Sequence, residues 1–392
     1  MALTARCRFE LVKATPWRRL LPLIVLLIVA AVFSCRALAQ PADPHIRDIE
    51  SRSRLAERMQ ELHVPAVSVA VIDEGRIAWA KAWGAANTDT VFQAASISKP
   101  VAAMAALHMS QYGNFGLDED VNAKLKSWRV PENEFTANKK ITLRRLLSHT
   151  AGLTVRGFPG YPSDGALPSL KEILSGVPPA NTPPVVPDAE PGSEWRYSGG
   201  GYTVLQQLMV DRLGWSFPQI MERMVFSRLG MKRSTYEQPL PPAWHANAAT
   251  GHDRNGSPVK GRWHVYPEMA AAGLWTTPSD LARWAIELRE AYLGKSNRVI
   301  EPSTARQMLT RQQAAGKPTR WGLGVELHGD PPLAFSHGGS NVGFKCRLLL
   351  YLESGDGIVV MTNGDQGNQI VAEIMDAARA LYHWPALPLA SP

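Results

Sequence analysis

Cysteine is scarce: 392 residues contain three, Cys7, Cys35 and Cys346. A disulfide framework is excluded as the basis of the fold, and a cysteine-rich zinc site with it. No G-x-x-x-x-G-K-[ST] loop is present to cradle a phosphate, and no H-E-x-x-H to hold a catalytic zinc. The G-x-S-x-G elbow of α/β-hydrolases is missing too; Gly338-Gly339-Ser340-Asn341-Val342 fails at its last position. His245, His252 and His264 are loosely spaced. No metal and no organic cofactor is expected. The apolar run Leu20–Ser34 has 15 residues, short of the roughly 18–20 that span a bilayer.

That run follows a basic stretch, Arg6, Arg8, Lys13, Arg18 and Arg19, and precedes Ala37-Leu38-Ala39. Small residues at −3 and −1 predict an export signal over 1–39, cleaved before Gln40. A retained anchor, or a lipoprotein signal at Val32-Phe33-Ser34-Cys35, are the alternatives. Each exports the chain, to a bacterial periplasm or the medium, and each confines membrane contact to the N-terminus. Residues 1–39 carry +5 of the formal +7, leaving +2 for the mature chain. The basic balance is therefore no sign of a nucleic-acid partner. Cys346 is left alone in an apolar run, where a buried, inert thiol is expected. Composition is otherwise ordinary, 45% hydrophobic and 20% charged, in a chain long enough for a large core. Oligomeric state is not legible.

Residues 44–62 have helical periodicity, ended by Pro65. Val67–Ile72 and Arg76–Trp83 alternate as strands around Asp73-Glu74-Gly75, a hairpin signal. Pro100–Gln111, Leu143–Leu147, 202–213 and 279–291 read as helices. Residues 159–191 hold nine prolines, predicting an irregular loop that shapes a cleft. Strand-like runs follow at 322–327, 333–336, 343–351 and 357–362, then a helix over 367–382. Strands at both ends and helices between predict an α/β fold: a mixed, largely antiparallel sheet flanked by helices, with an inserted, mainly helical region. The expected division is a discontinuous α/β domain, 40–95 with 300–385, and a helical region, 96–299, with a ligand cleft between them.

Three motifs carry chemistry. Ser96-Ile97-Ser98-Lys99 at a helix start sets a hydroxyl and an amine on one face, near the positive end of the helix dipole. Lysine takes a hydroxyl proton only if its pKa, ordinarily about 10.4, is lowered by several units. Tyr197-Ser198-Gly199-Gly200-Gly201 projects a phenol from a glycine run, suited to proton transfer. Ser336-His337-Gly338-Gly339-Ser340 ends a strand-like run whose glycines allow close approach of a substrate.

Ser-x-x-Lys, then Tyr, then His-Gly-Gly resembles the serine β-lactamase-related family: class C β-lactamases, DD-peptidases, D-aminopeptidases and β-lactamase-like esterases. Leu146–Leu153, Gly273–Leu281, Trp321–Gly324 and Gly338–Phe344 resemble further family segments, so the likeness covers about residues 45–385. It implies a serine hydrolase cleaving a small-molecule or peptide substrate, an ester or amide, through an acyl-enzyme. Ser96 is then the nucleophile, with Lys99 and Tyr197 handling protons. His337, Gly338, Gly339 and Ser340 bind substrate, and the amides of Ser96 and Ser340 form the oxyanion hole. His149 and Asp280 are expected to be structural, capping a turn and a helix. Two departures stand out: Gly199 replaces an Asn common two residues after the Tyr, and His337 replaces a Lys. Both point away from efficient β-lactam cleavage and toward ester or peptide substrates. The alternative is a penicillin-binding, receptor-like protein that deacylates slowly or not at all.

Overall fold

The computed structural model describes residues 44–387, so the leader read over 1–39 lies outside the described residues. The chain divides after Ile46 into two compact units; of the first, only the opening of helix α1 (Pro44–Arg52) is described. Helix α2 (Leu55–Glu61) follows. The periodicity over 44–62 predicts one helix; two form, separated where Arg54 takes a left-handed backbone at φ 48°. Strands β1 (Ala66–Asp73) and β2 (Arg76–Gly84) turn through Glu74-Gly75, as the hairpin signal predicts.

The middle of the chain supplies helices α3 (Ser98–Gln111), α4 (Leu143–Leu147), α5 (Leu170–Ser175), α6 (Gly199–Leu213), α7 (Met269–Ala272) and α8 (Pro278–Tyr292). α3 and α6 are buried along most of their length, which explains why they are apolar or small on every side. α5 corrects the expectation of an irregular 159–191. Between Pro168 and Pro178 the chain is free of proline, and Ser169 and Glu172 form a reciprocal capping box that starts a short helix.

Strands β3 (Glu326–His328), β4 (Ala334–Asn341), β5 (Phe344–Tyr351) and β6 (Gly357–Thr362) and helix α9 (Gly367–Leu381) complete the chain. The run expected at 322–327 forms strand only from Glu326. The run expected at 333–336 extends to Asn341, because β5 pairs with all of β4 and overrides the weak strand tendency of Gly338 and Gly339.

The six strands form one sheet in the order β2-β1-β6-β5-β4-β3, with every pairing antiparallel. The two ends of the sequence meet at its centre, where Val67 lies opposite Thr362. β1 and β6 are buried on both faces, so the sheet needs cover on both sides. Ala70, Val359 and Leu348 join Leu281, Trp284 and Leu288 of α8 in the main core. On the other face α9 packs on β5 and β6 and buries Ile370 and Ile374. Each large apolar side chain so enclosed contributes about 1.5–3 kcal/mol.

β3 pairs with β4 only at Ala334, Phe335 and Ser336. Beyond Ser336, among the described residues, β4 has a strand neighbour on its β5 side alone. Strand alternation puts His337, Gly339 and Asn341 on one face, and Gly338 and Ser340 on the other.

Candidate active site

Ser96 occupies a single 3-10 turn, Ala95–Ile97, that runs into α3. Ala95 just before it has φ 48°, a left-handed conformation costing a residue with a Cβ about 1–2 kcal/mol. Hydrogen bonds hold the turn against that cost. Ala94 N–H donates to Leu274 O at 2.8 Å, Ser98 Oγ accepts from Leu274 N–H at 2.9 Å, and Tyr236 O–H donates to Ser98 O at 2.6 Å.

Lys99 lies beneath the serine, 2% exposed. Its Nζ is 3.2 Å from Ser96 Oγ and donates to Ala271 O of α7 at 2.8 Å. The rings of Tyr197 and Tyr202 stand 4.9 Å and 5.7 Å from Nζ. Their faces favour an ammonium, but lost hydration outweighs them: burial lowers the pKa to about 7. Tyr197 is shifted the opposite way. Burial raises its pKa, and the hydrogen bond to Ser96 and the charge of Arg156 only partly offset that, so the phenol keeps its proton at neutral pH.

Tyr197 is aimed by the start of α6. Ser198 caps that helix, accepting from Gly201 N–H at 2.9 Å and donating to Thr154 O at 2.9 Å. Gly199 N–H donates to Arg156 O at 3.0 Å and Gly200 N–H to Val155 O at 2.9 Å. Residues 154–156 thus carry the tyrosine's helix. The proline-rich segment braces them from behind, through Thr154 N–H to Val186 O and Thr154 Oγ1 to Pro184 O. No residue of 159–191 lines the cleft beside Ser96, so the expectation that this loop shapes the cleft directly is corrected to one of support at one remove.

His149 and Asp280 do not cap as expected. The His149 ring lies 4.2 Å from that of Tyr197, and its Nδ1 accepts from the Ser198 N–H at 3.2 Å. Burial, then the charges of Lys99 and His337, keep its pKa well below the ordinary histidine value. Thr277 caps α8, while the Asp280 carboxylate accepts from Arg233 N–H and Ser234 Oγ and pairs with Arg283 at 2.6 Å.

His337 is buried with Nδ1 2.7 Å from Gly338 O, which assigns the proton to Nδ1 and leaves Nε2 an acceptor with no partner among the described residues. Burial, then the charge of Lys99, lowers its pKa to about 3, so the ring is neutral. The edge of Trp321 stands 5.4 Å from this ring and 6.0 Å from Tyr197. Gly339 faces the turn before Ser96: a Cβ there would overlap Ala94 O and lie 2.5 Å from Cys346 Sγ. The Cys346 thiol donates to that same carbonyl at 3.1 Å, and burial raises its pKa to about 12, matching the inert thiol expected.

The structure brings Ser96, Tyr197, His337, Gly338, Gly339 and Ser340 to one cleft of about 890 Å³, with Lys99 behind Ser96. A groove of about 930 Å³ against α2 contains none of them. Sequence reasoning missed Arg156, Glu326 and Arg347 in the cleft, and the α9 wall of Val371 and Met375. It also missed Glu268, buried at the start of α7 beside the Tyr161 hydroxyl; burial raises its pKa to about 7 against the smaller lowering effects of its own backbone amide and of Tyr161. The periodicity of α9 reports an apolar face but not what opposes it, and nothing local marks Glu268 as deep. Among the described residues no group of three or more His, Cys, Asp or Glu is placed to hold a metal.

A neutral amine beside a hydroxyl, a protonated phenol on the same hydroxyl and an open strand edge facing both are the parts of a serine acyl-transfer site. A family model described as Beta-lactamase matches residues 52–382. The chain belongs to the beta-lactamase family, whose members are serine hydrolases. Protein flp of Staphylococcus aureus (strain MW2) is 25% identical over 326 residues, covering 78% of this chain and 61% of that protein. The chain thus spans about three fifths of the length of this curated relative. The octameric penicillin-binding protein homologue from Pyrococcus abyssi superposes with a TM-score of 0.68 at 21% identity, over 86% of this chain and 77% of that one. EstCE1, a hydrolase with promiscuous acyltransferase activity, gives 0.66 at 21% identity, over 84% and 98%. These structural likenesses concern the fold.

Proposed function

We propose that this protein hydrolyses an ester or amide through an acyl-enzyme on Ser96. The observation that carries the reading is the 3.2 Å approach of Lys99 Nζ to Ser96 Oγ, with the amine's pKa lowered to about 7 by burial. Lys99 takes the hydroxyl proton as Oγ attacks the carbonyl. The backbone amides of Ser96 and Ser340 receive the oxyanion, each such donor contributing on the order of 10²–10³ in rate. Tyr197, held protonated, delivers a proton to the leaving group. Burial pushes the two pKa values in opposite catalytic directions, which is how adjacent groups divide base and acid work. Lys99 passes the proton it took to Tyr197, restoring both groups; water then attacks the acyl carbonyl as Lys99 or Tyr197 takes its proton, and that proton returns to Ser96 Oγ as the acid leaves.

Esters or peptides are favoured over β-lactams. His337 is neutral and its one donor is tied to Gly338 O, so it offers a substrate carboxylate little. Gly199 carries no amide side chain to hold a substrate's acylamino carbonyl, and a Cβ there would crowd Phe158 Cε2 at 2.9 Å and Arg156 O at 3.2 Å.

The test is turnover of a chromogenic short-chain ester and a chromogenic cephalosporin by wild type and Ser96→Ala. Faster ester cleavage, lost in a variant with unchanged circular dichroism, is the expected result. Full activity in folded Ser96→Ala overturns the reading. A burst of one equivalent without turnover supports the slow-deacylating alternative instead.

A further inference from the structure

We infer that Arg156 is the residue that holds a carboxylate of the substrate, and that the natural substrate is an anionic ester or amide. This rests on the hydrolase reading above for where the substrate lies.

The cleft contains two arginines, a glutamate and a histidine. Arg347 is committed, with Nη2 3.0 Å from Ser336 Oγ and 3.3 Å from Glu326 Oε2. Glu326 is shared further with Arg320 at 3.5 Å. His337 is neutral and internally bonded. Arg156 differs from all of these. It is exposed, lines the cleft with Ser96 and Tyr197, and among the described residues its guanidinium has no hydrogen-bond or ion-pair partner. Its charge is near enough to Tyr197 to favour the phenolate.

Its backbone is fixed although its side chain is free. The carbonyl of Arg156 accepts from Gly199 N–H at 3.0 Å, tying it to the turn that presents Tyr197. The same segment fills the space a side chain at 199 would need. Loss of a side chain at 199 and presentation of a guanidinium at 156 are therefore one structural arrangement. A planar fork of donors on a fixed backbone, beside the nucleophile and with no internal partner, suits a carboxylate. In the same cleft, Val371 and Met375 of α9 offer the uncharged part of a substrate an apolar surface.

The test compares three nitrophenyl-type esters: p-nitrophenyl butyrate, p-nitrophenyl hemisuccinate with the carboxylate on the acyl half, and the butyrate of 3-hydroxy-4-nitrobenzoate with it on the leaving half. The anionic-to-neutral ratio of kcat/KM is expected to fall about tenfold in Arg156→Gln, the scale of a charge-assisted hydrogen bond. Arg156→Lys should recover part of it. Which anionic ester responds locates the carboxylate. An unchanged ratio for both overturns the inference. Binding of 3-carboxyphenylboronic acid against phenylboronic acid, followed by calorimetry, separates the two proposals. If wild type cleaves neither these esters nor the corresponding p-nitroanilides, the hydrolase reading fails, and an Arg156-dependent preference for the carboxylated boronate still supports the inference while its absence overturns it.

Discussion

Gly339 rests against the carbonyl of Ala94 so closely that a Cβ at 339 would overlap the oxygen. The strand edge and the nucleophile turn are thereby set in register with no side chain between them. Gly339→Ala is expected to force β4 and the Ser96 turn apart, costing about 1–3 kcal/mol, the usual price of overpacking. Thermal unfolding should show it, with a larger loss of kcat/KM than of stability, because the displaced parts are the two halves of the site. A variant with wild-type melting and kinetics would mean that the contact is not rigid.

Lys99 sets the acid limb of activity. With a pKa of about 7 in the folded protein, kcat/KM should rise with pH through that value, and Lys99→Met should lower it by about 10²–10⁴. Stability follows with a definite sign. The folded pKa lies below the unfolded value of about 10.4, so the unfolded state binds more protons between the two. The Lys99 contribution to stability should climb as pH rises from about 7 toward 10 and be constant below 7. Denaturant melts of wild type and Lys99→Met across this range check it: the slope should disappear in the variant.

Glu268 gives the opposite slope in a lower window. Its carboxyl, buried beside the Tyr161 hydroxyl, has a pKa raised by that burial to about 7, above the unfolded value of about 4.3. The protonated form suits the fold. The stability it contributes is fully present below about pH 4.3 and is lost as pH rises to about 7. Glu268→Gln should be the more stable protein at pH 8, by on the order of 2–3 kcal/mol. A variant that melts earlier than wild type at pH 8 would show that the carboxylate has an unseen partner.

Much of the site was legible because its chemistry is local. Ser96 and Lys99 are three residues apart on one helix turn, and Tyr197 precedes a cap and three glycines that announce a helix start. The sheet was legible from short strand-like runs at β1, β2 and β5 and from the hairpin signal between the first two. What escaped depends on distant segments meeting. Gly338 and Gly339 read as a strand end because glycine is a poor strand former, yet pairing with β5 carries them through. Arg156 looks like any loop arginine until Gly199 is seen to close on its carbonyl. The proline-rich segment advertises irregularity but says nothing of which strip of chain it supports. His149 has the spacing of a turn residue, whereas its ring reaches the cap of a helix far along the sequence.

The sheet's strand order also sets a clock. β1 is made well before its inner neighbour β6, and β4 reaches β1 only through β5 and β6. A nascent chain that stops short of β4 carries Ser96, Lys99 and Tyr197 but lacks the strand edge they face. A fragment that ends before β4 is therefore expected to lack the candidate site altogether rather than to hold a weakened one.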